Sequence, residues 1–199
     1  MCGLWLLIAA HWAGAAEIRI QSVTLNAVEE GYSLSADFDI DLNRRLEEAV
    51  NKGVVLFFAV DFELTRSRWF WFDKKVVQRS RVYQLSYHAL TRQYRLSTGG
   101  LHQSYDSLEA ALRVLTRLRG WQVLEKGAVN NDQIYVAGLR MHLDLSQMAK
   151  TFQVSAISNR EWNLSSAWME WKFEPDEENS PEPKAVPDAR SVAESGGSR

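Results

Sequence analysis

Residues 32–42 read YSLSADFDIDL. Tyr32, Leu34, Ala36, Phe38 and Ile40 fall on one parity, and Ser33, Ser35, Asp37 and Asp39 on the other. A period of two with one apolar and one polar side marks a strand buried on one face only, which is the habit of antiparallel sheets. Upstream, IRIQSVTL at 18–25 reads as its hairpin partner, joined through Glu30-Gly31. The apolar parity there switches from Ile18 and Ile20 to Val23 and Leu25, which predicts a bulge near Ser22.

Downstream the period changes. In LNRRLEEAVNKG (42–53), Leu42, Leu46, Ala49 and Val50 form a helical stripe, with Asp41 as the expected N-cap and Gly53 as the stop. VVLFFAVDFEL (54–64) returns to strand, with Phe58, Val60, Phe62 and Leu64 on one face and Asp61 and Glu63 on the other. Strand patterns continue through RVYQLSYHAL and QYRLS, and Thr98-Gly99-Gly100 offers a hairpin into LHQSY. Asp106 and Glu109 make a capping box for a second helix, whose stripe is Leu108, Ala111, Leu112, Leu115 and Leu118, closed by Gly120. QIYVAGLRMHLDL (133–145) and REWNLSSAWMEWKF (160–173) read as the last strands. Seven to nine strands with two helices predict a mainly β protein, an antiparallel β-sandwich with two short helical insertions.

Three regions follow from composition. The first sixteen residues, MCGLWLLIAAHWAGAA, contain no Asp, Glu, Lys or Arg. The apolar run Leu4–Ala10 is too short for a bilayer, which takes about 20 residues. Small residues at Ala13 and Ala15, or Gly14 and Ala16, match a signal-peptidase site, although no Lys or Arg precedes the run. Residues 1–16 are expected to be a signal peptide and the protein to be periplasmic. Cys2 is the sole cysteine, so cleavage leaves a chain without disulfides, thiolate catalysis or Cys-ligated zinc. At the other end, residues 174–199 hold all four prolines, seven acids and three bases. Such a segment buries too little apolar surface to offset its ordering entropy and is expected to be a disordered acidic tail. The domain proper spans 17–173. Its charge is uneven: residues 17–63 carry ten acids and four bases, residues 64–126 twelve bases and four acids.

Known catalytic and metal motifs are scarce. His88, His102 and His142 show no metal-ligand spacing, and HExxH, CxxC, EF-hand, G-x-S-x-G and P-loop patterns do not occur. His88 and His102 flank a predicted hairpin, and Asp37, Asp39 and Asp41 alternate along one strand face. Strand histidines and a solvated charged face account for both. No cofactor and no enzymatic activity are expected.

The remaining feature is RSRWFWFDKK at 66–75. As a strand it would place Trp69 and Trp71 on one face, Phe70 and Phe72 on the other, among dense cations. The stretch is either mainly core aromatics with a solvated cationic rim or a binding face, and at least one aromatic face is expected to pack into the sandwich. Aromatics interleaved with bases suit single-stranded nucleic acid, but an exported chain of formal net charge −2 argues against that partner. Anionic headgroups or an acidic envelope protein fit better. The candidate binding surface is Arg66, Arg68, Trp69, Trp71, Lys74, Lys75, Arg79 and Arg81. Alternatives are glycan or peptidoglycan binding on Trp69 and Trp71, and an envelope enzyme, which would need a pocket joining a histidine to carboxylates.

RSRWFWFDKKVVQRSRVYQLSYHALTRQYRLS (66–97) and LDLSQMAKTFQVSAISNREWNLSSAWMEW (143–171) resemble proteobacterial exported proteins of domain-of-unknown-function family 4390. The resemblance covers Ile18 to Trp171. The family pattern usually has prolines in the segment equivalent to SQMAKTFQ, where this chain has none. The resemblance implies an N-terminal signal, no established activity, and by association a link to a membrane sensor kinase of the nitrogen-regulation type. It assigns no functional residues.

Overall fold

In a computed structural model, residues 17–66, 74–150, 153 and 160–175 are described. The expected signal peptide, residues 67–73 and residues 176–199 of the expected tail lie outside them. Nine strands and two α-helices occur among the described residues: β1 (Glu17–Val28), β2 (Gly31–Asp41), α1 (Arg44–Asn51), β3 (Leu56–Arg66), β4 (Lys74–His88), β5 (Gln93–Thr98), β6 (Leu101–Tyr105), α2 (Leu108–Leu115), β7 (Arg117–Glu125), β8 (Tyr135–Leu143) and β9 (Met169–Phe173). They form a three-stranded sheet, β1-β2-β7, and a six-stranded sheet, β6-β5-β4-β3-β8-β9. Every pairing is antiparallel. The expected antiparallel β-sandwich with two short helices is the observed architecture.

The alternation read from the sequence decides which faces meet. Leu34, Ala36 and Phe38 of β2, Phe58, Val60, Phe62 and Leu64 of β3, and Ala137, Leu139 and Met141 of β8 are buried in a single apolar core. Phe62 is 0% exposed. Burying such a side chain contributes about 1.5–3 kcal/mol. Tyr32 of the small sheet meets Phe173 of the large one edge-on, ring centres 5.0 Å apart at 89°, the geometry that aromatic quadrupoles favour. The small sheet reaches the large one through β1 on β8, while α2 packs against β5, β6 and β7. The bulge near Ser22 is present, as a register shift between Ile20 and Ser22.

Three local expectations are corrected. Of REWNLSSAWMEWKF only Met169–Phe173 is strand, and Arg160–Trp162 forms a 3-10 turn. The N-cap of α1 is Asn43, not Asp41: its Oδ1 accepts from the Leu46 N–H at 2.9 Å, and its Nδ2 donates to the Glu161 carbonyl at 2.6 Å. The second helix is shorter than its stripe suggested. Ser107 caps it, accepting from the Ala110 N–H, and it ends at Leu115. Leu118 and Gly120 belong to β7 instead. Leu118 satisfies a helical stripe and a strand face equally well. The pull toward strand is the free edge of β2, which pairs with β7 from Gly31↔Glu125 to Asp37↔Arg117.

Candidate functional site

The larger sheet turns its polar face outward, and there the charged residues of β3, β8 and β9 stand in register. Asp61 pairs with Arg140, Glu63 with Gly138 and Thr65 with Val136. Gly138 and Val136 pair in turn with Glu170 and Lys172. On the other side of β3, Lys75 lies opposite Thr65 and donates to Glu63 Oε1 at 2.7 Å. Arg140 Nη2 donates to Asp61 Oδ2 at 2.9 Å. Each ion pair thus bridges neighbouring strands, which holds its groups on a rigid backbone.

Trp168, just before β9, lies against this face. Its ring sits over the Arg140 guanidinium, 4.8 Å from the ring centre, a cation–π contact worth about 0.5–1 kcal/mol where exposed. The same indole packs on Gly138, where an added Cβ would come within 3.3 Å of Trp168 Cε3. Glycine in this strand interior therefore admits a close approach. Trp168 remains 37% exposed, unlike Trp121, Trp162 and Trp171, which are buried. Beside it opens a half-enclosed cleft of about 270 Å³ lined by Glu63, Thr65, Lys75, Val136, Gly138, Trp168 and Glu170.

His142 lies on the same face, one residue pair beyond Arg140. Its Nδ1 is 3.4 Å from Asp61 Oδ2 but makes no hydrogen bond, and Arg140 Nε is likewise buried without a partner. Burial pushes the His142 pKa below the ordinary histidine value. Asp61 and Asp144 oppose that shift, and Arg140 adds to it.

The sequence-derived candidates are not one surface among the described residues. Arg66 donates to Gln133 Oε1 at 2.8 Å. The β3–β4 hairpin has a register shift between Leu64 and Thr65, which puts Lys75 on the outward face with Glu63. Arg79 and Arg81 pair with Phe62 and Val60 of the inward face. Arg79 meets Glu125 of β7 at 3.4 Å, and Arg81 stands over the Trp121 ring at 5.2 Å. Lys74 begins β4. Arg68, Trp69 and Trp71 lie outside the described residues.

His88 and His102 are not brought together. His88 pairs with Gln93 at one end of β5, and His102 on β6 pairs with Ser97 toward the other. Asp37 accepts from Arg119 and from Ser22, and Asp39 from Arg19. These bonds, Arg119's foremost, hold the Asp37 carboxyl below its ordinary range. Among the described residues no group of three or more His, Cys, Asp or Glu is placed to hold a metal ion.

Sequence reasoning passed over Trp168 and Gly138, and both left a signal. In the last strand Met169, Trp171 and Phe173 share the apolar parity, so Trp168 falls on the polar one with Glu170 and Lys172. Gly138 is the lone glycine inside β8.

Fold and face together define a two-sheet antiparallel β protein with an ion-paired, tryptophan-edged cleft on its larger sheet. The chain belongs to the family described as a domain of unknown function (DUF4390), whose profile matches residues 15–172. No curated protein and no solved structure matches it.

Proposed function

We propose that this protein is an exported, non-catalytic binding protein of the bacterial envelope, an accessory to a membrane sensor, and that the outward face of its six-stranded sheet is the recognition surface. The observation that carries the reading is the half-exposed Trp168, laid on Gly138 at the rim of a cleft in which the Lys75–Glu63 ion pair bridges two strands. An exposed aromatic beside preorganised polar groups on rigid strands is what a binding site requires. The uncharged start with its apolar run Leu4–Ala10 supports export. Lys75 belongs to this face. Arg79 and Arg81, on the other side of the sheet, are engaged with Glu125 and Trp121, so recognition centres on Trp168 rather than along the whole basic run.

A photoreactive amino acid at position 172, exposed on the same face beside the cleft but not lining it, tests this in cells. Adducts should form from position 172 and not from Leu101, which is exposed on the far edge strand. Equal yields from both positions would count against the reading. A second reading, an envelope hydrolase, draws on the approach of His142 to Asp61. It predicts a turnover that His142→Gln abolishes.

A further inference from the structure

We infer that the Trp168 cleft is a saccharide subsite that takes one uncharged pyranose ring, stacked on the indole and hydrogen-bonded by Glu63, Lys75 and Glu170. This inference rests on reading the protein as a binding protein and names the chemistry of that site.

The lining selects the ligand by elimination. Two carboxylates, Glu63 and Glu170, face the cleft and repel an anion. A cation would find Glu63 already engaged by Lys75 and the Trp168 ring already engaged by the Arg140 guanidinium, which leaves it the single carboxylate of Glu170. An apolar ligand would strip water from Glu63, Lys75 and Glu170 and return no hydrogen bonds. What remains is a neutral ligand with both an apolar face and many hydroxyls, which describes a pyranose. Its C–H face suits the indole, and its hydroxyls can donate to the carboxylates and accept from the Lys75 ammonium.

The geometry agrees. Gly138 and Arg140 stand two residues apart on one face of β8, and both meet Trp168. Trp168 is thus anchored to β8 at two points and still remains 37% exposed, which leaves part of its side chain open to a ligand. A volume of about 270 Å³ sits just below the roughly 300–1,000 Å³ of most ligand pockets. It fits a single ring, and a half-open mouth lets a glycan chain run on in either direction. The ion pair Lys75–Glu63 holds two of the three polar groups before the ligand arrives, and Arg140, itself paired with Asp61, holds the indole; both lower the entropy cost of binding.

The test is titration of the full-length ¹⁵N-labelled protein with tetra-N-acetylchitotetraose and, separately, maltotetraose, following the tryptophan indole N–H signals. The signal of Trp168 should shift and saturate with at least one of the two, while those of Trp121 and Trp171 stay still. Trp168→Ala should weaken binding by roughly tenfold, from the loss of the stacking platform. Glu170→Gln keeps the shape and the fold, and should also weaken it by roughly tenfold, from the loss of a charged acceptor. If Trp168→Ala fails to fold, Glu170→Gln decides. The inference is overturned if neither saccharide moves the Trp168 signal, or if the variants bind as tightly as the parent. Should photo-crosslinking from position 172 still depend on Trp168 in that case, the saccharide inference falls and the binding reading stands. If both fail, both fall.

Discussion

Gly31→Ala should be among the most damaging single-methyl changes in this chain. Gly31 opens β2 with φ +136°, and an ideal Cβ built on it would lie 2.1 Å from the Leu124 carbonyl oxygen and 2.8 Å from the Glu125 carbonyl carbon. Both atoms are backbone of β7, so no side-chain rotation relieves the clash. Either β7 moves away or Gly31 changes its dihedral angles. Holding a non-glycine residue in that region costs about 1–3 kcal/mol. Moving β7 disturbs the Lys126 N–H to Glu30 carbonyl bond at 2.9 Å and the adjacent Tyr32↔Leu124 pairing, at about 0.5–1.5 kcal/mol for each hydrogen bond. The sum is about 3 kcal/mol. At about 2–4 °C per kcal/mol for a chain of this size, the melting temperature should fall by roughly 6–12 °C. The control is Gly100→Ala, since a Cβ at Gly100 meets nothing within 4 Å. It should stay within about 0.5 kcal/mol of the parent. Thermal melting followed by circular dichroism compares the two. A Gly31→Ala protein that melts with Gly100→Ala would refute the register of β2 on β7.

Further outcomes follow from the same structure. Phe62→Ala empties a fully buried position and should cost about 3–5 kcal/mol in denaturant unfolding; a loss below about 1 kcal/mol would mean that the sheets do not pack on it. His142 should titrate by NMR below the ordinary value of about 6.5, because burial depresses it. Between the unfolded and folded values the unfolded chain binds more protons, so this group removes stability as pH falls from about 6.5 toward its folded pKa. Asp61→Asn takes away an opposing carboxylate and should lower the midpoint further; a midpoint at or above 6.5 contradicts the burial. Protein recovered from the periplasm should begin near Ala16 or Glu17 by N-terminal sequencing, and an intact Met1 form from the cytoplasm would refute export.

Alternation made most of the fold legible. YSLSADFDIDL and QIYVAGLRMHLDL bury the parity that they display, because a half-buried strand admits no other register without turning charges into the core. The β7 segment was not legible. Leu115 and Leu118 extend a helical stripe in sequence, and only the free edge of β2, a partner some eighty residues away, draws Arg117–Glu125 into strand. Pairing order is non-local in the same way, so sequence could not say that β3 would lie between β4 and β8. The basic run shows a further limit. Lys75, Arg79 and Arg81 share a parity on paper, but the register shift at Leu64/Thr65 divides them between opposite faces. The cleft combines four separate segments, and its two clearest residues, a tryptophan on a polar parity and a glycine inside a strand, each admit a blander explanation in isolation.

The most direct test of the central claim is the adduct yield from a photoreactive residue at position 172 in three backgrounds: the parent chain, Trp168→Ala, and the double variant Arg79→Gln with Arg81→Gln. If recognition occurs on the outward face of the six-stranded sheet, the adduct forms in the parent chain, disappears with Trp168→Ala and survives the loss of both arginines. An adduct that survives Trp168→Ala but disappears with the arginine variant would place recognition on the opposite side of the sheet and contradict the account.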